Sequence, residues 1–352
     1  GAPPSAAAAD PRAIAPGPVL SRSRRVEGWS AVNFSKPERA LDGDRNTSWT
    51  AGRPTKDRPA WLSIELGPGP TRVLFTWSAG GSFDYNETDY GSPGAYRVDT
   101  SADSTNGENG SWKTAVDVPE VGTHGASHAI DFAGQRWVRM VVTGVPAKSP
   151  NGVQIDEIRV HDATAGAQDS WFFMGDSITA FAFGRSVPRG QGFADRVRER
   201  HPGHEPAVIN GGIGGDKSDE GLGHLDAWLV NNREARFWGI GYGSNDAAGE
   251  GAEPSRFGAN LRSLVGRLKA AGKVPIVATI PYASDGNHPK IPRFNEVIEA
   301  VRREGELPAG PDLYAWFAAH PEELRDGLHP DEKGIASINR LWAAAVDGLY
   351  GR

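Results

Sequence analysis

"SWFFMGDSIT", residues 170–179, decides how the second half of this chain is read. Trp171, Phe172, Phe173 and Met174 run without a polar break, and Gly-Asp-Ser follows at once. A strand covered on one face alternates apolar and polar residues; an unbroken apolar run fits a strand buried on both faces. Such strands belong to parallel sheets with helices above and below. Further apolar runs follow: "PAVIN" (206–210), "RFWGIGYG" (236–243), "VPIVATI" (274–280) and "DLYAWF" (312–317). Between them, amphipathic spacing predicts helices at about 192–200, 219–230, 255–271, 291–304 and 331–348. This is an α/β/α grammar over residues 170–352. In such folds ligands sit beyond the carboxyl ends of the strands, where Ser177 falls.

Upstream the grammar differs. Residues 20–162 are rich in Trp, Gly, Ser, Thr and Asp. Short alternating runs recur there: "AWLSIEL" (60–66), "TRVLFTWS" (71–78), "AYRVDTSA" (95–102), "SHAIDF" (127–132), "RWVRMVVTG" (136–144) and "VQIDEIRVHD" (153–162). Turn-forming clusters separate them, so an all-β sandwich is expected. The small, polar "ATAGAQD" (163–169) reads as a linker, and the Ala/Pro-rich residues 1–19 as a disordered lead segment without a signal-peptide core. The expected organisation is thus a two-domain chain.

Composition excludes several function classes. The net charge is -6 over 352 residues, which argues against a nucleic-acid-binding surface. No apolar stretch approaches the ~18 residues of a transmembrane helix. There is no cysteine, which removes disulfides, thiolate metal sites and thiol catalysis.

The ends of the predicted strands carry the chemistry. Ser177 follows the first. The glycine-rich "GGIGGDKS" (211–218) follows the second, where backbone N–H groups can approach a ligand closely. "GYGSND" (241–246) brings the Asn245 amide to the same edge. In "RDGLHPDEKG" (325–334), Asp326 precedes His329 by three residues, a spacing at which an acid can orient an imidazole. Each fragment also has a plain reading as a turn or helix cap. Their order and shared position at strand ends favour a serine nucleophile with a base, an orienting acid and oxyanion donors.

With these residues the region resembles the SGNH/GDSL hydrolases. "GDSIT" is similar to that family's first motif, "NGGIGGDKS" to its second, "GYGSND" to its third and "DGLHP" to its last. The resemblance covers about 170–350. It implies a parallel, flavodoxin-like sheet, a catalytic triad of Ser177, His329 and Asp326, and an oxyanion hole from Ser177, Gly215 and Asn245. No cofactor is implied for the catalysis. Phe181, Phe183, Tyr242, Tyr282 and Trp316 could line an acyl pocket, although core packing accounts for most of them.

Residues 20–162 resemble a discoidin-like, or jelly-roll, sandwich of the kind also used as a carbohydrate-binding module. "ERALDGDRNTSWTA" (38–51), "PAWLSIELG" (59–67) and the closing "VQIDEIRVHD" carry that likeness. It implies a structural Ca²⁺ at Asp42, Asp44, Thr47 and Glu157, some of them acting through backbone carbonyls. An EF-hand is rejected, because Thr47 and Arg53 stand where that loop needs Gly and Glu. Trp61, Trp77 and Trp137 read as core. Trp29, Tyr85 and Tyr90 read as loop aromatics, with 80–94 the first place to seek sugar contacts.

Together these features lead to the expectation of a secreted bacterial esterase that removes a short acyl group, such as acetyl, from a polysaccharide. Two alternatives stay open. One is a lipase-, thioesterase- or acyltransferase-like enzyme on another acyl donor; the other is a catalytically inactive carbohydrate-binding or adhesion protein.

Overall fold

The computed structural model describes residues 14–15, 17–79, 91–147, 149, 152–166 and 169–351. Tyr85 and Tyr90, named above for sugar contact, lie outside the described residues.

The first half forms two antiparallel sheets. One has five strands in the order β1 (Val26–Trp29), β3 (Ala60–Glu65), β8 (Trp137–Gly144), β5 (Ala95–Ser101) and β6 (Lys113–Val118). The other has four, in the order β2 (Trp49–Gly52), β9 (Val153–Asp162), β4 (Arg72–Ala79) and β7 (Gly125–Asp131). Their inner faces share one core with Phe75, Trp77, Tyr96, Val98, Met140 and Ile158 fully buried. Trp77 meets Tyr96 edge to face at 5.4 Å between ring centroids. Burying each such ring contributes about 1.5–3 kcal/mol.

Strands β1, β2 and β6 are absent from the alternating runs of the sequence. All three are sheet edges, where one flank faces water and the core imposes less pattern. Strand β6 shows this most clearly, with no buried residue. Trp29 lies in β1 rather than in a loop and is 38% exposed. Its cross-strand partner Trp61 is half-buried.

The second half is an α/β/α layer structure around a four-stranded parallel sheet. The strands are β10 (Ser170–Gly175), β11 (Ala207–Gly212), β12 (Phe237–Gly241) and β13 (Val274–Val277), in the order β11-β10-β12-β13. Trp171 and Phe173 point to one face, toward α1 (Ser177–Phe183), α2 (Phe193–Arg200), α6 (Leu313–Ala319) and α7 (Glu332–Ala345). Phe172 and Met174 point to the other, toward α3 (Ser218–Asn231), α4 (Pro254–Ala270) and α5 (Ile291–Glu304). Two covered faces explain why the opening run has no polar alternation. Because β11 and β12 flank β10 on opposite sides, β10 stands at the topological switch point of the sheet.

Residues 312–317 are not a strand but the start of α6. Leu313 and Phe317 are one helical turn apart and both buried, and the Asp312 carboxylate accepts from the Ala315 amide at 3.0 Å as an N-cap. Seven residues are too few for a period of 3.6 to stand out from an apolar strand.

The domains meet along the β2-β9-β4-β7 sheet. His161 of β9 bonds through Nε2 to the Glu205 carbonyl at 2.7 Å. Arg45 donates to the Val208 carbonyl at 3.0 Å, and Arg185 pairs with buried Asp156 at 2.9 Å. Glu205 gathers Arg22, Arg159 and Arg198. Among the described residues, no helix is long and apolar enough to cross a membrane.

Candidate active site

Strand β10 ends at Gly175, and Asp176 caps α1 by accepting from the Ile178 amide at 2.9 Å. Ser177 is therefore the first residue of α1, 8% exposed at the carboxyl edge of the sheet. At a helix N-terminus the first amides have no intrahelical partner and favour developing negative charge. The helix can lie this close to β11 because Gly212 has no side chain: a Cβ there would sit 2.2 Å from the Ala180 nitrogen.

His329 arrives from the loop before α7. The Arg325 amide donates to the His329 carbonyl at 3.0 Å, and Ser284 donates to the Gly327 carbonyl at 2.7 Å, closing the turn from two sides. The Asp326 carboxylate accepts from the amides of Leu328 (3.0 Å) and His329 (2.7 Å), and from His329 Nδ1 at 2.7 Å. Burial pushes the Asp326 carboxyl up, but these hydrogen bonds outweigh it and hold the group down at about 2. An ionised Asp326 fixes the proton on Nδ1 and leaves Nε2 to accept. Nε2 lies 3.0 Å from the Ser177 hydroxyl oxygen.

The loop after β11 and the loop after β12 are tied together. Asn245 Nδ2 donates to the Asp216 carbonyl at 2.9 Å. The amide and hydroxyl of Ser218 donate to Asp246 at 3.1 and 2.5 Å. Gly215 adopts a φ of +85°, which an L side chain rarely takes. Ser177, Gly215 and Asn245 thus lie on three neighbouring strand ends. Sequence reasoning passed over Asp216, Ser218 and Asp246, which hold these loops in register. Their signal was present as polar residues within three positions of Gly215 or Asn245.

Phe181 lies edge-on to the His329 ring at 5.8 Å. Phe183 and Tyr242 are buried and line an apolar cavity of about 20 Å³ beneath α1. Tyr282 and Trp316 pack, half-buried, against the core.

The residues that the discoidin-like resemblance implies for calcium also converge. Thr47 Oγ1 lies 2.8 Å from Asp42 Oδ2 and 3.2 Å from each of the carbonyl oxygens of Arg39 and Asp44. One hydroxyl proton cannot serve three acceptors, so this oxygen cluster suits a hard cation. Asp44 turns its carbonyl inward while its carboxylate accepts from the Asn46 amide at 3.0 Å. Glu157 closes the turn by accepting from the Gly43 amide at 3.1 Å. Among the described residues no group of three or more His, Cys, Asp or Glu side chains could hold a metal. The donor set therefore fits calcium only through carbonyl and hydroxyl oxygens in addition to Asp42 and Glu157.

Residues 173–336 match the family model described as the GDSL-like Lipase/Acylhydrolase family. This match falls wholly within the second half of the chain, the α/β/α layer structure around the parallel sheet. "Thioesterase 1/protease 1/lysophospholipase L1" of Escherichia coli (strain K12) is 26% identical over 172 residues, 47% of this chain and 78% of the relative. An acetyl xylan esterase structure from Geobacillus stearothermophilus is 21% identical with a TM-score of 0.44, covering 52% of this chain and 97% of that one. A chitosan-binding module of a Paenibacillus sp. IK-5 chitosanase/glucanase is 20% identical with a TM-score of 0.32, covering 41% of this chain and 97% of that one.

Proposed function

We propose that this chain is a serine esterase that hydrolyses short acyl esters, such as acetyl esters, carried on a carbohydrate. One observation carries the esterase reading: a continuous relay from Asp326 through His329 to Ser177, with links of 2.7 and 3.0 Å. In this reading His329 Nε2 takes the Ser177 proton as Oγ attacks the ester carbonyl. The tetrahedral oxyanion accepts from the backbone N–H groups of Ser177 and Gly215 and from the Asn245 side chain. Each such donor is worth about 3–4 kcal/mol in the transition state. Asp326 keeps the imidazole in the needed tautomer and stabilises its protonated form. The imidazolium then protonates the leaving alcohol, and water releases the acyl group by the same steps in reverse order.

A carbohydrate substrate is supported by the likeness of residues 20–162 to a sugar-binding sandwich, since a tethered module raises local substrate concentration. A polymeric substrate of this kind implies a site of action outside the cell. Ca²⁺ would be held in the turn 42–47 by Asp42, Thr47, Glu157 and the carbonyls of Arg39 and Asp44, where it would brace the turn. The name of the Escherichia coli relative favours a second reading, a thioester or lysophospholipid acyl donor.

Acyl release from p-nitrophenyl esters of increasing chain length, acetylated polysaccharides, an acyl thioester and a lysophospholipid separates these readings. Activity that peaks at acetyl, includes an acetylated polysaccharide and is lost in Ser177→Ala supports the proposal. Preference for long chains or thioesters supports the second reading. Silence on every donor, with Ser177→Ala indistinguishable from the wild type, returns the chain to a binding role.

A further inference from the structure

We propose that the groove on the His329 side of Ser177 binds the alcohol half of the ester as a hydroxyl-rich glycosyl unit, and that Arg325 and Asn46, one from each domain, select it. This rests on the esterase reading and deepens it.

The direction follows from the chemistry. The imidazolium must hand its proton to the leaving oxygen, so the alcohol half lies on the His329 side of the carbonyl. The oxyanion points the other way, to Gly215 and Asn245. On the His329 side the structure has an open groove of about 450 Å³, within the size range of small-molecule sites. Phe181, Ser186, Arg325, Pro330 and Glu332 line it from the hydrolase domain, and Asn46 closes it from the β-sandwich.

The groove is joined to the triad. The Arg325 guanidinium lies over the Phe181 ring at 4.1 Å, and Phe181 in turn meets the His329 ring edge-on. The Arg325 side chain makes no hydrogen bond or ion pair among the described residues, so its N–H donors face the groove uncommitted. Asn46 spends its amide hydrogens on Asp44 Oδ1 at 3.1 Å and on the Val187 carbonyl at 2.9 Å. Those two bonds fix its orientation and leave Oδ1 as an acceptor. A fixed donor array and a fixed acceptor across one groove match a ligand whose hydroxyls both donate and accept. An alkyl alcohol or a lipid tail offers these two exposed groups no hydrogen-bond partner and leaves them to water, so it gains nothing from them. The β-sandwich therefore supplies a wall of the catalytic groove, not only a tether.

The experiment compares kcat/KM for an acetylated glucose oligosaccharide with that for ethyl acetate, and repeats the comparison with acetate and butyrate esters of one alcohol. Arg325→Ala and Asn46→Ala should each lower the oligosaccharide-to-ethyl-acetate ratio about tenfold. Ser186→Trp, an exposed position whose new ring fills the groove, should lower it further and guards against a local fold defect in the Asn46 variant. An unchanged ratio in all three variants overturns the proposal. So does a change in acetate-to-butyrate preference in its place, which would assign the groove to the acyl half. Wild-type hydrolysis of ethyl acetate with an unchanged ratio overturns this inference alone. Absence of Ser177-dependent hydrolysis of every ester overturns the esterase reading with it.

Discussion

Asp326 touches no substrate in this account, yet it decides which imidazole nitrogen carries the proton. Asp326→Asn keeps the shape and lets the wrong tautomer form. Steady-state kinetics should show kcat falling by about 10⁴-fold with KM little changed. In the proposed reaction Asn245 donates to the oxyanion, so Asn245→Ala should lower kcat by about 10²–10³-fold. The Asp326 carboxyl is held at about 2. Its depressed value stabilises the fold above the ordinary carboxylate range, and that contribution is lost only as pH falls toward 2. Ser177, Gly215 and Asn245 stood out in the sequence because each follows a strand end within a few residues, whereas Asp326 and His329 lie in the loop before α7 and were marked only by their spacing. Arg325 and Asn46 could not. Nothing local marks an arginine that will lie over a distant phenylalanine, or an asparagine that will face the other domain.

Strand β10 and helix α1 are the elements that place Ser177. Phe173 is fully buried and stacks on Phe183 of α1 at 3.7 Å between ring centroids. Phe173→Ala should cost about 3–5 kcal/mol in urea unfolding, because the cavity forms in the layer that holds α1 on the sheet. The turn 42–47 is the other element under test. If its oxygens hold Ca²⁺, EDTA lowers the melting temperature of the wild type and leaves that of Asp42→Asn unmoved; identical melting with and without EDTA would contradict this. At this scale the sequence was readable where burial is two-sided or alternating. It was silent at the edge strands β1, β2 and β6, and misleading at α6, whose seven residues look alike as helix or strand. Helix α1 was hidden for a related reason, since only seven residues follow its cap.

Across the whole molecule, the junction between the domains carries its own pH dependence. His161 is buried there between Arg159 and the Glu205 carbonyl, and burial pushes its imidazole down to about 4. A histidine depressed in this way stabilises the fold fully above its unfolded value near 6.5, and that stability is lost as pH falls from 6.5 toward 4. The loss should reach about 3 kcal/mol at most, and His161→Gln should flatten it in denaturant titrations across that window. The two-grammar layout of the chain was visible in composition and periodicity. The packing of one sheet against the α/β domain was not, because its contacts, such as Arg45 to the Val208 carbonyl, join residues far apart in sequence.

The claim on which the rest depends is that Ser177 is the nucleophile. The most direct test treats the protein with a p-nitrophenyl phosphonate, which leaves a stable phosphonyl group on an activated serine, and maps the adduct by peptide mass spectrometry. The account predicts one adduct, on Ser177, with esterase activity lost in proportion to labelling and no labelling in His329→Ala. An adduct on another residue, or full activity in protein labelled at Ser177, would contradict it.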